Sequence, residues 1–282
     1  MKKIAIASIA CFTALLATAQ TAQIKVEYEC SRLASEYATK IKTTKMTLLS
    51  GQDGSKYFNQ MSEYCDSMTS TPEGKKQLRE VQFATWMTTD ATGGITIDMT
   101  RGNAPHKKIH QYVTKDFKGG TLREYDKWGE DDGFYDEPLA EMTWNVVDDS
   151  TRSILGYECM LAESDYHGRH WRAWFTLDIP LQDGPWKLHG LPGLILLAES
   201  DPHFRFEATG IESADRTIPP MYSPDNYSRI DRKKGLADDE YFIRNRDAII
   251  QAKFGSTVID KDPNKEQKIP FDKQLHALET DY

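Results

Sequence analysis

The residues able to do chemistry are thinly spread in this chain, and their spacing limits what they can do. His106 and His110 stand four apart. On a helix that spacing sets two imidazoles on one face, where they can hold zinc. Here no glutamate follows the first histidine, Pro105 precedes it and strand signals surround it. In a strand the pair would share a face but stand about 13 Å apart, so both read as exposed histidines. His167 and His170 flank a predicted hairpin tip, where polar residues are expected. A composite metal site would need at least three of His167, His170, His189 and His203 to converge. Cys159 sits between Tyr157-Glu158 and Met160-Leu161 in a predicted strand, and reads as a packed or bridged cysteine rather than a nucleophile. No Gly-x-Ser-x-Gly elbow and no glycine-rich phosphate loop occur. Asp131-Asp132 and Asp148-Asp149 fall in predicted turns, where neighbouring carboxylates are solvated rather than set face to face across a substrate. The reading assigns no catalytic residue, no metal ligand and no cofactor.

The densest signal is aromatic. Residues Trp171 to Ser200 read WRAWFTLDIPLQDGPWKLHGLPGLILLAES. Trp171, Ala173, Phe175, Leu177 and Ile179 alternate with Arg172, Trp174, Thr176 and Asp178, the period of a strand with one face on a core. Trp171 and Trp174 therefore fall on opposite faces. Pro180 ends the strand, since it cannot donate to a ladder. Asp183-Gly184-Pro185 is a turn signal. Leu191-Pro192-Gly193-Leu194 suits a type II turn with Gly193 at positive φ. Leu194 to Ala198 is apolar without alternation, as expected of a strand covered on both faces. It pairs with Phe204–Ile211 across a reversal at Ser200-Asp201-Pro202-His203. The three tryptophans Trp171, Trp174 and Trp186 fill a β core or, with Arg169 and Lys187, shape the rim of a binding groove.

The hexapeptide Gly190-Leu191-Pro192-Gly193-Leu194-Ile195 is identified as the signature of the GLPGLI family, also called Porph_ging, of exported Bacteroidetes envelope proteins. The surrounding residues are similar to that family's pattern. They run from Arg169-His170-Trp171-Arg172-Ala173-Trp174-Phe175-Thr176 through Asp178-Ile179-Pro180 to Gly184-Pro185-Trp186-Lys187-Leu188. The resemblance extends over most of the mature chain, through a Gly156-Tyr157-x-Cys159 segment to Ile269-Pro270-Phe271. The resemblance implies an envelope compartment and a β-rich fold. It brings no catalytic residues, because the family is essentially uncharacterised.

Composition narrows the setting. Lys2 and Lys3, then an apolar run from Ile4 to Leu16 and Ala17-Thr18-Ala19, read as a signal peptide over residues 1–19, cut before Gln20. Cys11 is not read as a lipid-attachment site, because Ser8 stands where an aliphatic is wanted. No other apolar run could span a bilayer. The formal net charge is −8, and removal of the leader takes away two lysines and no acid. An acidic exported chain is a poor nucleic-acid binder and is repelled by anionic membrane surfaces. Cys30, Cys65 and Cys159 remain after cleavage, enough for one disulfide and one free thiol. Three pairings are open, and Cys30–Cys65 is favoured because it needs only a local reversal.

The elements that must position these residues are mostly strands. They are expected at Ile24–Tyr28, Lys42–Ser50, Ser55–Asn59 and Ile95–Met99, in a hairpin of Lys108–Phe117 with Thr121–Trp128, and in a meander of Glu141–Val147, Ile154–Ser164 and Arg169–Ile179. Turns are placed at Asp148–Ser153 and Tyr166–Gly168. A helix starts at an N-cap Thr71 with Pro72 at N1 and extends to Asp90. After Ile211, Pro219, Pro220 and Pro224 interrupt regular structure. Leu236–Lys253 reads as an amphipathic helix with Asp238, Asp239 and Glu240 in its first turn, before a charged tail at Asp260–Lys268. The spacing of strands favours antiparallel pairing over βαβ units. The expected fold is mainly β, one domain over 20–282 with a helical, irregular C-terminal part. A single curved antiparallel sheet with one or two helices, compatible with the half-barrel of LolA-type lipoprotein carriers, describes it.

The function expected from these readings is non-enzymatic. It is an exported protein, periplasmic or outer-membrane-associated, that binds a hydrophobic small molecule or an envelope protein partner. An envelope hydrolase and a metal-handling accessory are the alternatives.

Overall fold

The computed structural model describes residues 20–34, 40–98, 102–139, 142–201, 203–255 and 269–282. The predicted leader 1–19 and charged tail 260–268 lie outside these residues, as do Met99, Glu141 and Pro202 in the predicted elements around them. In chain order the strands are β1 (Thr21–Leu33), β2 (Ile41–Ser50), β3 (Gly54–Phe58), β4 (Met87–Thr89), β5 (Ile95–Ile97), β6 (Tyr112–Asp116), β7 (Thr121–Trp128), β8 (Asp131–Pro138), β9 (Asn145–Ile154), β10 (Tyr157–Tyr166), β11 (Arg169–Thr176), β12 (Leu194–Ser200), β13 (Phe204–Thr217) and β14 (Ser228–Arg229). Twelve of them form one sheet in the order β14-β8-β7-β6-β3-β2-β1-β13-β12-β11-β10-β9, while β4 and β5 make a separate hairpin. The large sheet is curved and unclosed. Its pairings are antiparallel except β14 on β8. The expected sheet is therefore present.

Bulges supply much of the curvature, since each adds a residue to one strand and bends it. They interrupt β1 against β13 at Ala22/Ile24 and Glu27/Tyr28. Others fall opposite Met160/Leu161 of β10, where β9 carries the extra residues, and opposite Trp174/Phe175 of β11, where Leu196 of β12 is extra. The main core fills the inside of the curve with Val26, Tyr28, Met46, Leu48, Tyr57, Trp171, Phe175, Trp186 and the run Leu194 to Ala198. That last run is buried at every position, as its lack of alternation requires.

Among the described residues four helices accompany the sheet: α1 (Gln60–Thr69), α2 (Pro72–Trp86), α3 (Arg232–Phe254) and α4 (Lys273–His276). α2 starts as its sequence predicts, with Thr71 Oγ1 accepting from Gly74 N at 3.1 Å. It stops at Trp86 rather than Asp90, because the following residues turn into β4. α3 begins four residues earlier than expected, where Asp231 caps Lys234 N at 2.9 Å. Asp238, Asp239 and Glu240 therefore sit beyond the first turn, and Gly255 closes the helix in the left-handed region at φ 60°.

Several sequence expectations are corrected. Asp131 and Asp132 open strand β8 rather than forming a turn. β9 continues through Asp148 and Asp149, with Asp149 alone at positive φ. Gly193 is not at positive φ. It is glycine because β11 passes too close, and a Cβ there would lie 1.9 Å from the Thr176 carbonyl oxygen. Gly190 does hold positive φ, at 89°. The expected disulfide is not formed: Cys30, Cys65 and Cys159 are all free thiols. Each is committed to a different environment. Cys30 Sγ meets the Tyr57 hydroxyl at 2.9 Å, Cys65 lies on the buried side of α1, and Cys159 is enclosed in β10.

Candidate binding cleft and the charge cluster at its floor

Residues 177–193 join β11 to β12 and fold back inside the curve of the sheet. Asp183 fixes this loop from below. Its Oδ1 accepts from Lys115 Nζ of β6 at 2.6 Å and its Oδ2 from Ser50 Oγ of β2 at 2.7 Å. Lys115 also donates to the carbonyls of Gly184 at 2.9 Å and Leu188 at 3.0 Å. All three side chains are buried, so the ion pair is isolated from water and closed by backbone acceptors.

The loop then inserts Trp186 and Lys187 into the gap between the two ends of the sheet. Trp186 is fully buried at φ 51°, against Trp171 at 5.6 Å and Phe206 at 6.4 Å between ring centres. Lys187 is fully buried too. Its Nζ donates to Tyr135 Oη at 2.8 Å, Glu137 Oε2 at 2.7 Å and Glu279 Oε1 at 2.7 Å, and lies 3.1 Å from Glu124 Oε2. Burial pulls its pKa down, but Glu124, Glu279 and Glu137 outweigh that and hold the ammonium above the ordinary lysine range. The partners come from β7, β8 and the last residues of the sequence. Arg232, at the start of α3, pairs with Glu279 and Asp281. His167, from the β10–β11 turn, lies 3.3 Å from both Asp281 Oδ2 and Glu137 Oε1.

Arg169 secures the same terminal segment from β11. Its guanidinium donates to the carbonyls of Ala277 at 2.9 Å, Leu278 at 3.1 Å, Gln274 at 2.9 Å and Asp201 at 3.2 Å. It has no carboxylate among these partners, and burial lowers its pKa to about 10. Thus four of the five residues expected at a groove rim (Arg169, Trp171, Trp186 and Lys187) are placed in the interior. The fifth, Trp174, is half-buried on the opposite face with Arg152 5.4 Å over its ring. Gly184, Pro185, Leu191, Leu194 and Ile195 are buried with them, and Pro192 is exposed.

Above this cluster is a cleft that the sequence did not single out. The inside of β1, β2 and β7 forms one wall and α3 the other. The outer chamber has a volume of about 580 Å³, and its apolar lining includes Met46, Tyr57, Phe204, Phe206, Phe242 and Ile243. A second chamber of about 290 Å³ adjoins it and reaches Glu124 and Glu279 of the charge cluster. Arg32, Lys42, Asp126, Asp239 and Arg246 line both. Asp126 faces the cleft; burial, then the nearby Glu124 charge, push its pKa up to about 8. Burial likewise raises Asp239. The cleft therefore combines an apolar lining, cations and carboxyls whose pKa burial raises, the composition of a ligand site.

The histidines divide. His167, Glu279 and Asp281 bring one ligand atom each within 4.8 Å of one another, but Arg232 already engages both carboxylates. His170 pairs with Asp165 at 2.9 Å and, with His203, lines a surface depression. His189 turns Nδ1 to the Lys187 carbonyl at 2.6 Å. Among the described residues no three of these four histidines converge. His106 and His110 are half-buried rather than exposed, in a segment outside regular structure. His106 stacks edge-on against Trp86 at 5.8 Å.

Residues 165–197 match the Porph_ging family, described as a protein of unknown function. That stretch holds the Lys187 loop and the GLPGLI hexapeptide, so the family signature coincides with the segment that packs inside the curve. No curated protein sequence matches the chain. Among solved structures, PNGF-II in a C2 crystal form is similar at 14% identity and a TM-score of 0.49, over 79% of this chain and 33% of that one. PNGF-II in a P21 form is similar at 13% identity and 0.47, over 79% and 34%. The chain thus spans about a third of the length of PNGF-II. Among the described residues no helix is long and apolar enough to cross a membrane.

Proposed function

We propose that this Porph_ging-type protein is an exported, non-enzymatic carrier or receptor, periplasmic or outer-membrane-associated, that holds a partly apolar small molecule between the inner face of the sheet and α3. The observation that carries this reading is the cleft itself. Phe242 and Ile243 of α3 are only half-buried and face an open chamber, so apolar surface there awaits a complement. The leader-like residues 1–19 support the compartment, as does the family signature at 165–197. The GLPGLI loop serves as scaffold, fixing the cleft floor through Lys187.

Native mass spectrometry of protein purified gently from its own envelope tests the reading. The expected result is a co-purifying small molecule that is lost on Phe242→Asp. A bare monomer that also fails to bind the neutral dye N-phenyl-1-naphthylamine would remove the cleft as a binding site.

A further inference from the structure

Two cations face each other across adjacent strands at the cleft. Arg32 of β1 and Lys42 of β2 are direct partners in the antiparallel register. Like charges directly opposite in a sheet repel, and such pairs destabilise the pairing. Both side chains are exposed and both line the cleft. Lys108 adds a third cation at the same wall. Partial desolvation at the cleft wall, then the fields of Arg32 and Lys108, lower the pKa of Lys42. Asp126 and Asp239 line the same cleft, where burial outweighs Arg32, which draws both of their pKa values down. Asp126 is pushed up to about 8, and Asp239 is also raised by burial. This concentration of positive charge belongs to a chain whose formal net charge is −8, so it is a local feature rather than the general character of the surface.

Beyond these cations the outer chamber becomes apolar, with Met46, Tyr57, Phe204 and Phe206 on the sheet side and Phe242 on α3. A cationic mouth leading to an apolar interior is complementary to one shape of ligand. We propose that the cleft binds a single-chain amphiphile with an acidic head, specifically a long-chain fatty carboxylate, whose head is held between Arg32 and Lys42 and whose chain runs under α3. This rests on the cleft being the ligand site. A head group placed there would convert a repulsive cross-strand pair into two attractive ones, each a charge-assisted hydrogen bond.

The test compares two fluorescent ligands, 11-(dansylamino)undecanoic acid and its methyl ester, on the full mature chain. The acid is expected to bind at least about tenfold more tightly than the ester, with the preference shrinking as salt screens the head-group charge. In the double variant Arg32→Gln/Lys42→Gln, acid affinity should fall to that of the ester, while ester affinity stays within error and the urea midpoint does not fall, since the cross-strand repulsion is removed. Equal binding of acid and ester by the native chain would overturn the head-group assignment and leave the cleft reading standing. So would an acid preference that survives the double variant. A phosphate-headed lysolipid that binds where the fatty acid does not would overturn the carboxylate assignment. Failure of both dansyl ligands would overturn this inference and the cleft reading together.

Discussion

Lys187 Nζ and Glu279 Oε1 lie 2.7 Å apart, joining the loop between β11 and β12 to the last residues of the sequence. Neither partner is solvated, with side-chain exposures of 0% and 3%. The bond ties the family-signature loop to the segment that Arg169 and Arg232 also grip. The strength of that tie rests on complete pairing, since a buried charge that loses its partner keeps its desolvation cost.

Replacement of Lys187 by Met should therefore be severe. It leaves Glu124, Glu137 and Glu279 facing one another without their shared cation. The expected loss is about 3–5 kcal/mol, seen as a drop in the urea midpoint. A loss under about 1 kcal/mol would mean that Arg232 and water replace the ammonium, and that the cluster is not the anchor described.

Two sets of carboxyls set the pH dependence of stability, with opposite signs. Glu137 is held down at about 2 because His167 and Lys187 outweigh its burial, and Asp281 is held at about 2 by Arg232 and His167. Their folded values lie below the unfolded ones, near roughly 4. Their contribution is complete above about pH 5 and is lost as pH falls through about 4 towards 2. Asp126, raised to about 8 by burial and Glu124, works the other way. It favours the protonated folded state, and that contribution fades as pH rises towards and through 8. Stability should peak near about pH 5, decline up to about pH 8 and level off above it. Urea titrations at pH 3, 5, 7 and 9 would show this, and Asp126→Asn should flatten the decline between about pH 5 and 8. An unchanged slope over that range in Asp126→Asn would refute the assignment.

Gly193 and Gly210 make a matched pair of tests. A Cβ at Gly193 would lie 1.9 Å from the Thr176 carbonyl oxygen, a backbone atom that cannot move aside without breaking β11 from β12. Gly193→Ala is expected to yield no folded protein. A Cβ at Gly210 meets nothing within 4 Å, and Gly210 is paired within the sheet. Gly210→Ala should be neutral or stabilising by up to about 1 kcal/mol. Circular dichroism melts of both variants decide between close approach and a mere turn preference at Gly193.

The three thiols can be counted directly. Unfolded in denaturant without reductant, the chain expressed from Gln20 onward should take up three alkyl groups, at Cys30, Cys65 and Cys159. In the folded state labelling should be slow at Cys30 and Cys159, whose thiols burial pushes up to about 12 and about 11. Uptake of a single group after unfolding would restore the disulfide expected from composition.

Much of the sheet was legible because strand period and turn residues are local signals. The alternation from Trp171 to Phe175 and the unbroken apolar run of β12 both correspond to real strands with the expected faces. Thr71 and Pro72 marked the start of α2 for the same reason. β8 was hidden because Asp131, Asp132, Asp136 and Glu137 make it look like a polar turn, whereas its residues pair with β7 and Glu137 is held by Lys187. α1 was missed because its signal is a single cap, Asn59 accepting from Ser62 N at 3.1 Å. The cleft could not be read at all. Its lining comes from β1, β2, β3, β7, β13 and α3, and only the curvature of the sheet brings Arg32, Asp126 and Phe242 together. One local hint existed: Lys187 is a cation inside an aromatic, glycine-rich loop, where a buried charge demands acids from elsewhere.

The position of β1 has a kinetic consequence. The first strand lies in the middle of the sheet, hydrogen-bonded to β2 on one side and to β13 on the other. The contact of Thr209 Oγ1 with the Glu27 carbonyl at 3.2 Å closes a span of 182 residues. Hairpins such as β6–β7 and β10–β11 can form early from neighbouring residues, each within its own half. The seam between β1 and β13 cannot, because the entropy of closing so long a loop must be overcome before any of its contacts form. Folding should thus proceed as two fast half-sheets and one slow union, with the seam as the rate-limiting step.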